Sequence, residues 1–130
     1  YVLSGGEIGA LAIIDSTARF VPGVLGHENS AESDSFSNGI LECPQFTRPR
    51  EFEGLGVPEI LLGGHHGKIQ EWKIKVGQLV TLQKRPELLE ALNPEDVLGL
   101  KNFWMGLCEE DKKSLGLSLN ESSFESSFRR

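Results

Sequence analysis

Few residues of this chain have types and spacings that could do chemistry, and its opening turn is the first of them. The stretch "SGGEIG" at 4–9 puts two glycines and an acid directly before an apolar helical pattern, where free backbone N–H groups can hold an anion. It has neither the Gly-Lys-Ser/Thr ending of a phosphate loop nor a G-x-G-x-x-G spacing. The spacing therefore favours a structural turn over a nucleotide loop, and it neither supports nor excludes close approach to a flat ring.

Arg19 and Asp34 could stabilise developing charge and move a proton. Arg19 falls near the end of the first predicted helix, where a cation also serves as an ordinary cap or ion-pair partner. Asp34 is one of three acids in a polar stretch, and nothing in its local sequence distinguishes it as a base. From the residues alone, structural roles are favoured for both.

The segment from Arg48 to Arg85 contains the remaining candidates. It has seven lysines and arginines against four acids, inside a chain whose net charge is -6. This local excess indicates either a surface that faces RNA or an ordinary solvated helix face, and the sequence leaves both open. His65 and His66 are adjacent, so on a helix they would point about 100° apart and could not bind one metal from one face. We therefore favour a surface or substrate contact for this pair.

The first element that would position these residues is an amphipathic helix, which should begin at Glu7 and end by Pro22 and Gly23. Residues 26–39 are rich in serine, asparagine and acids, which is typical of a linker. The three prolines in 40–62 predict extended or turning chain with short helices at most. The apolar stripe of the first helix consists of Ile8, Leu11, Ile14, Ala18 and Val21.

The second half of the chain reads as a small helical module. A helix should run from Gly67 to about Arg85-Pro86, with Trp72 in the core rather than serving as a stacking platform. A short helix is expected over 87–92, and Asn93 followed by proline and two acids predicts the start of another helix. The serine-rich tail after Gly116 should be poorly ordered.

Composition limits the class of protein. The 130 residues have an apolar fraction of 38%, which is enough for a globular core, and the acidic balance argues against nucleic-acid binding by overall charge. Cys43 and Cys108 suggest neither a disulfide framework nor a zinc site. We find no candidate membrane span and no signal segment, so we expect a soluble protein of the reducing cytoplasm.

Four stretches taken together carry a resemblance that no single motif does. With "KRPELLEAL" at 84–92 as a continuation, they resemble the bacterial tRNA (guanine-N1)-methyltransferases over about residues 1–92. The chain would then be the C-terminal portion of a longer enzyme and would begin inside its cofactor loop. The stretches are "YVLSGGE" (1–7), "RFVPGVLGHE" (19–28), "SAESDSFSNGILECPQFTRP" (30–49) and "GLGVPEILLGGHHGKIQEW" (54–72).

The resemblance implies the C-terminal part of an α/β trefoil-knot methyltransferase domain of the SPOUT class, followed by a small, mostly α-helical domain. We accordingly expect the end of the knotted domain at 1–26, a flexible linker at 27–39, a helical tRNA-binding domain at 40–117 and a disordered tail at 118–130. It also implies a cytoplasmic homodimer that forms through the knotted domain and shares its active site between subunits. The isolated chain should be inactive, because half of the cofactor pocket would be absent.

The implied reaction transfers a methyl group from S-adenosyl-L-methionine to N1 of the guanosine next to the tRNA anticodon. Asp34 matches the family's general base and Arg19 its charge-stabilising residue. "GGHHGKI" departs from the family's usual wording at His65 and Gly67, and Gly9 stands where the family usually has proline. Magnesium is kept open as a second cofactor, with no visible site. The cofactor-binding residues would be Tyr1, Leu3, Gly5, Gly6 and Gly9, and the tRNA-binding residues Arg48, His66, Lys68 and Lys73.

A second class of function is the alternative hypothesis. In it, the helical half is a non-catalytic module that binds RNA or protein, and the first helix packs on a partner. Methylation that is unchanged by Asp34→Ala would favour this module over the enzyme.

Overall fold

The computed structural model describes residues 2–24, 35, 36, 39–90 and 92–126. They fall into two compact units, Tyr1–Asn38 and Gly39–Arg130. In the described part of the chain no helix is long and apolar enough to cross a membrane. The elements are α1 (Glu7–Ala18), β1 (Glu51–Phe52), β2 (Leu55–Gly56), a 3-10 turn (Glu59–Leu62), α2 (His66–Lys84), a second 3-10 turn (Pro86–Leu89), α3 (Pro94–Gly106), α4 (Glu109–Ser114) and α5 (Glu121–Ser126).

Residues 2–24 of the first unit form the opening loop, helix α1 and the turns that follow it. The predicted helix is confirmed, but it ends at Ala18 rather than at Pro22. The chain leaves the helix through two tight turns, in which the N–H groups of Phe20 and Val21 donate to Thr17 and Ala18. No residue of α1 is buried, and its large apolar side chains are 60–66% exposed. The apolar stripe therefore has no cover among the described residues.

A small antiparallel hairpin follows the extended segment 41–47. Glu51 pairs with Gly56 and Phe52 with Leu55, and the Val57 N–H donates to the Arg50 carbonyl at 3.0 Å. The turn residues Glu53 and Gly54 both have positive φ, at 52° and 73°. This is the geometry that a two-residue hairpin turn needs, and glycine adopts it without a Cβ penalty. The prediction of turning chain was right here, although it did not single out a hairpin.

Helix α2 is the centre of the second unit. Val76 and Leu79 are fully buried, and Trp72 is 6% exposed, which confirms its assignment to the core. The helix begins at His66 and ends at Lys84, close to the predicted limits. Other members of the core come from α3 and the segments around it; these are Leu89, Leu100, Leu107, Leu115 and Phe124.

The segment 41–43 packs directly on α2 at a glycine. A Cβ on Gly77 would lie 2.7 Å from the Leu41 carbonyl oxygen, so only glycine allows this close approach. One turn later, the buried Thr81 hydroxyl donates to the Gly77 carbonyl at 2.7 Å and accepts from the Leu41 N–H at 2.9 Å. The N–H of an extended strand with no sheet partner is thereby satisfied by a side chain.

Helix α3 begins as the sequence predicts. The Asn93 side chain accepts from the Asp96 N–H at 2.9 Å, and Pro94 occupies the first helical position. The short helix expected over 87–92 is present as a 3-10 turn at Pro86–Leu89.

The described part of the tail, 118–126, differs from the disordered segment that we expected. It contains α5, and Phe124 is 4% exposed with its ring centroid 5.5 Å from that of Trp104. The Gln83 side chain holds the start of the tail against α2, since it donates to the Gly116 carbonyl and accepts from the Ser118 N–H. The serine-rich composition suggested disorder, but the tail contains the buried Phe124 and the helix-capping Asn120, which accepts from the Ser123 N–H at 3.0 Å.

Candidate functional site

The glycine loop lies at the start of α1. Gly6 is the residue before the helix, and its carbonyl accepts from the Ala10 N–H at 2.9 Å, whereas no side chain caps this end. A Cβ on Gly6 would meet nothing within 4 Å, and one on Gly9 would meet only the half-exposed Leu3, at 3.9 Å. Gly5 faces the flexible Glu7 side chain. The loop thus presents open backbone, and Tyr1 lies outside the described residues.

Arg19 follows the last turn of α1. Its Nη2 lies 3.7 Å from Oδ2 of Asp15, and the Arg19 side chain is 44% exposed. This is the capping and ion-pairing position that the sequence indicates. Asp34 lies outside the described residues, so an approach of Arg19 to Asp34 stays a prediction.

A cleft of about 440 Å³ in the second unit carries positive charge, and we call it the basic cleft. Arg48, Arg50 and Lys73 line it, and Phe46, Leu61 and Ile69 form part of its apolar wall. The structure therefore brings together two predicted tRNA-binding residues, Arg48 and Lys73, which are 25 positions apart in the sequence.

Arg50 is the residue of this cleft that the sequence reasoning did not select. It was counted in the local charge excess but not as a contact. The alternation of charge and turn in "TRPRE" could have drawn attention to it. Its Nη2 donates to Oε1 of Glu59 at 2.8 Å, and both side chains are exposed. The remaining guanidinium N–H groups give the cleft additional donor capacity.

The other two predicted tRNA contacts, His66 and Lys68, lie in the first turn of α2. Both are exposed, and neither is among the residues that line the basic cleft. His65 is the residue before the helix, and its side chain does not cap it. The described residues contain no group of three or more His, Cys, Asp or Glu that could hold a metal ion.

A second cavity, of about 980 Å³, carries the opposite charge, and we call it the acidic cleft. Its apolar part includes Trp72, Phe103 and Leu107, and Val57 lines both clefts. Among the described residues that line it, Lys113 is the only basic one. The acids that line it are Glu51, Glu59, Glu110 and Asp111.

The two cysteines are free thiols in different surroundings. Cys43 belongs to the 41–47 segment and is buried against the core, and burial raises its pKa to about 11, against a smaller opposing effect of Lys73. The thiol is therefore neutral at physiological pH and unsuited to act as a nucleophile. Cys108 lines the acidic cleft, where its Sγ accepts from the Asp111 N–H at 3.3 Å.

Comparison with known proteins places the chain among the methyltransferases. The family model described as "tRNA (Guanine-1)-methyltransferase TrmD" matches residues 1–91, and the chain belongs to this family. The resemblance seen in the sequence is thereby confirmed. The chain spans about half the length of the curated relatives that it matches.

Several of these relatives carry the name tRNA (guanine-N(1)-)-methyltransferase. That of Ralstonia nicotianae is 47% identical over 123 residues, which is 94% of this chain and 47% of that protein. That of Desulforamulus reducens is 53% identical over 112 residues, 82% of this chain and 44% of that protein. That of Serratia proteamaculans is 56% identical over 105 residues, 79% and 41% of the two chains.

Proposed function

We propose that this chain is the C-terminal portion of an enzyme that methylates N1 of the guanosine next to the tRNA anticodon. The family match over residues 1–91 carries the proposal. It runs through the glycine loop and Arg19 in the first unit and the basic cleft in the second. Both parts that such a reaction requires, a cofactor loop and an RNA-binding surface, therefore have candidates in one chain.

The residues present fit S-adenosyl-L-methionine, which supplies a methyl group activated on sulfonium. At Gly6, before α1, a Cβ would meet nothing within 4 Å, and at Gly9, in the first turn of α1, it would meet only Leu3 at 3.9 Å, so the backbone at both positions is open to a flat adenine ring. Leu3, which is 46% exposed, adds apolar surface. Together with Gly5 and Tyr1, these are the residues that we assign to the cofactor.

The chemistry on the base needs one proton acceptor and one cation. Guanine N1 carries a proton at neutral pH, so a carboxylate must remove it, and we assign this role to Asp34. The negative charge that develops on the base oxygen needs a donor of fixed charge, and we assign Arg19. Its position at the open end of α1, with part of the side chain exposed, leaves it accessible to a substrate.

Helix α1 supports the proposal of a larger, dimeric enzyme. It has 12 residues and none of them is buried, whereas a stable helix in water usually owes most of its stability to a packed apolar face. A knotted α/β domain and a second subunit would supply that cover. A cytoplasmic homodimer remains our prediction.

The second unit is the proposed tRNA-binding domain. Arg48 and Lys73 point to phosphate binding in the basic cleft, while His66 and Lys68 would contact tRNA from the exposed start of α2. The same surface would serve the alternative of a non-catalytic RNA-binding module equally well, because all residues that line the cleft belong to the second unit.

The test compares the 130-residue chain with the longer protein that the proposal requires. By calorimetry, the longer protein should bind S-adenosyl-L-methionine and the short chain should not. In the longer protein, Asp34→Asn should lower kcat by about 100-fold or more, because a general base contributes on that order. Glu95→Gln, an exposed carboxylate change in α3, is the control and should retain activity.

Two results would contradict the proposal. Methyl transfer by the isolated chain would show that the cofactor site is complete within it. Full activity of Asp34→Asn, together with normal tRNA binding, would favour the non-catalytic module.

A further inference from the structure

Arg50 of the basic cleft makes one hydrogen bond through its backbone and one through its side chain. Its backbone belongs to the hairpin ladder, since its carbonyl accepts from Val57, and its guanidinium donates through Nη2 to Glu59 at 2.8 Å. The side chain is nevertheless 66% exposed. Arg50 is thus oriented without being enclosed.

The ion pair with Glu59 leaves Arg50 able to bind a second anion. Glu59 is 87% exposed, so the pair is solvent-screened and contributes little to stability. A guanidinium has five N–H donors in a planar fork, and the recorded contact with Glu59 uses one nitrogen. The fork matches a phosphate, whose oxygens accept two parallel hydrogen bonds.

The neighbours of Arg50 define what the second anion is. Arg48 and Lys73 line the same cleft, so three cationic side chains border one cavity of about 440 Å³. Phe46 and Ile69 form apolar wall beside them, and no acidic residue is among the described residues that line it. A single carboxylate carries one negative charge and could pair with only one of these three cations. The backbone of a nucleic acid presents successive phosphates, which could pair with all three.

We propose that Arg50 is a phosphate-binding residue of the basic cleft, oriented by Glu59, and that it contacts the tRNA backbone together with Arg48 and Lys73. This inference rests on the proposed tRNA-binding function of the second unit. It assigns Arg50 a contact role and Glu59 a positioning role.

The experiment measures binding of the 130-residue chain to tRNA at several salt concentrations. Each phosphate contact adds about 0.7–0.9 to the slope of log K against log salt concentration. Arg50→Gln should lower the slope by about that amount and weaken binding at low salt. Lys84→Gln, the matched loss of one positive charge outside the basic cleft, should leave the slope close to that of the parent chain.

The positioning role has its own readout. Glu59→Gln and Glu59→Ala both remove the negative charge, but only glutamine keeps an oxygen that can accept from Nη2. Glu59→Gln should therefore bind tRNA more tightly than Glu59→Ala. Circular dichroism of all variants ensures that folded proteins are compared.

The outcomes separate the inference from the function on which it rests. If the parent chain shows no salt-dependent tRNA binding, both are overturned. If it binds and Arg50→Gln keeps the parent slope, the contact role of Arg50 is overturned and tRNA binding stands. Equal affinities of the two Glu59 variants would overturn the positioning role.

Discussion

The basic cleft and the acidic cleft share the hairpin and Val57, yet their charges are opposite. Arg50 lines the basic cleft and Glu51, the next residue, lines the acidic cleft. Arg50 lies in the bend before β1, where its carbonyl accepts from the Val57 N–H at 3.0 Å, and Glu51 is the first residue of β1. The two charges therefore separate at the point where the chain enters the hairpin.

The difference shows why an average over a segment is a weak guide to electrostatics. The excess of positive charge between Arg48 and Arg85 is modest, because Glu51, Glu53, Glu59 and Glu71 offset part of it. In the structure, Glu51 and Glu59 line the acidic cleft. None of these acids is among the described residues that line the basic cleft, so its lining is more positive than the segment sum; Glu59 offsets part of the Arg50 charge through their ion pair at 2.8 Å.

The largest expected contrast between the two clefts is in the reactivity of their cysteines. Cys43 directly precedes Pro44, which lines the basic cleft, and its pKa is raised from 9.0 to about 11, chiefly by burial, so its thiolate fraction at pH 8 falls about 100-fold. At that pH, iodoacetamide should alkylate the exposed Cys108 at least 100-fold faster. Reaction at Cys43 should accelerate as pH rises toward 11, because the thiolate is the nucleophile.

Mass mapping of the alkylated peptides over a pH series measures both rates. Cys43→Ser and Cys108→Ser each leave one thiol and identify its rate without ambiguity. Comparable rates at pH 8 in the folded chain would contradict the burial of Cys43 in the core.

A smaller effect is expected where the 41–43 segment packs on α2, directly before residues 44–48 that line the basic cleft. Gly77→Ala places a Cβ 2.7 Å from the Leu41 carbonyl oxygen, which forces the 41–43 segment away from α2. We expect a loss of about 2 kcal/mol in the free energy of unfolding, as is usual for overpacking. Denaturant unfolding followed by tryptophan fluorescence measures it.

Gly67→Ala is the matched control on the same helix. Nothing lies within 4 Å of a Cβ at Gly67, and alanine favours a helix over glycine, so this variant should be unchanged or slightly more stable. Equal destabilisation by the two variants would mean that contact with Leu41 does not cause the loss at Gly77.

The sequence predicted those parts of the fold that local physics decides. The limits of α2 follow from apolar periodicity, and the start of α3 follows from Asn93 and Pro94. The α5 contact was missed because Phe124 reaches Trp104 across 20 positions, and no local pattern encodes such a pairing. The close approach of Leu41 to Gly77 is equally non-local.

The residues of the candidate site, like the fold, were predicted only in part. Arg48 and Lys73 were selected, and they share a cleft, but Arg50 and the acidic cleft were not foreseen. The place of Arg50 and the lining of the acidic cleft both depend on the hairpin. The sequence did not indicate this hairpin, because its first turn residue, which has a positive φ, is Glu53 rather than the usual Asn or Gly. The roles of Arg19 and Asp34 came from the family resemblance, because their residue types alone favour ordinary structural roles.

The smallest effect tests the charge separation itself. Arg48→Glu reverses one charge in the basic cleft and should weaken tRNA binding at least tenfold, about 1.4 kcal/mol, because it removes a phosphate contact and adds repulsion. Glu110→Arg makes the opposite reversal in the acidic cleft and should change affinity less than about twofold at 0.15 M salt, where charges beyond about 8 Å are screened. Filter binding to tRNA at that salt concentration measures both. A gain from Glu110→Arg as large as the loss from Arg48→Glu would mean that net charge, rather than the hairpin's division of charge into two clefts, determines tRNA affinity.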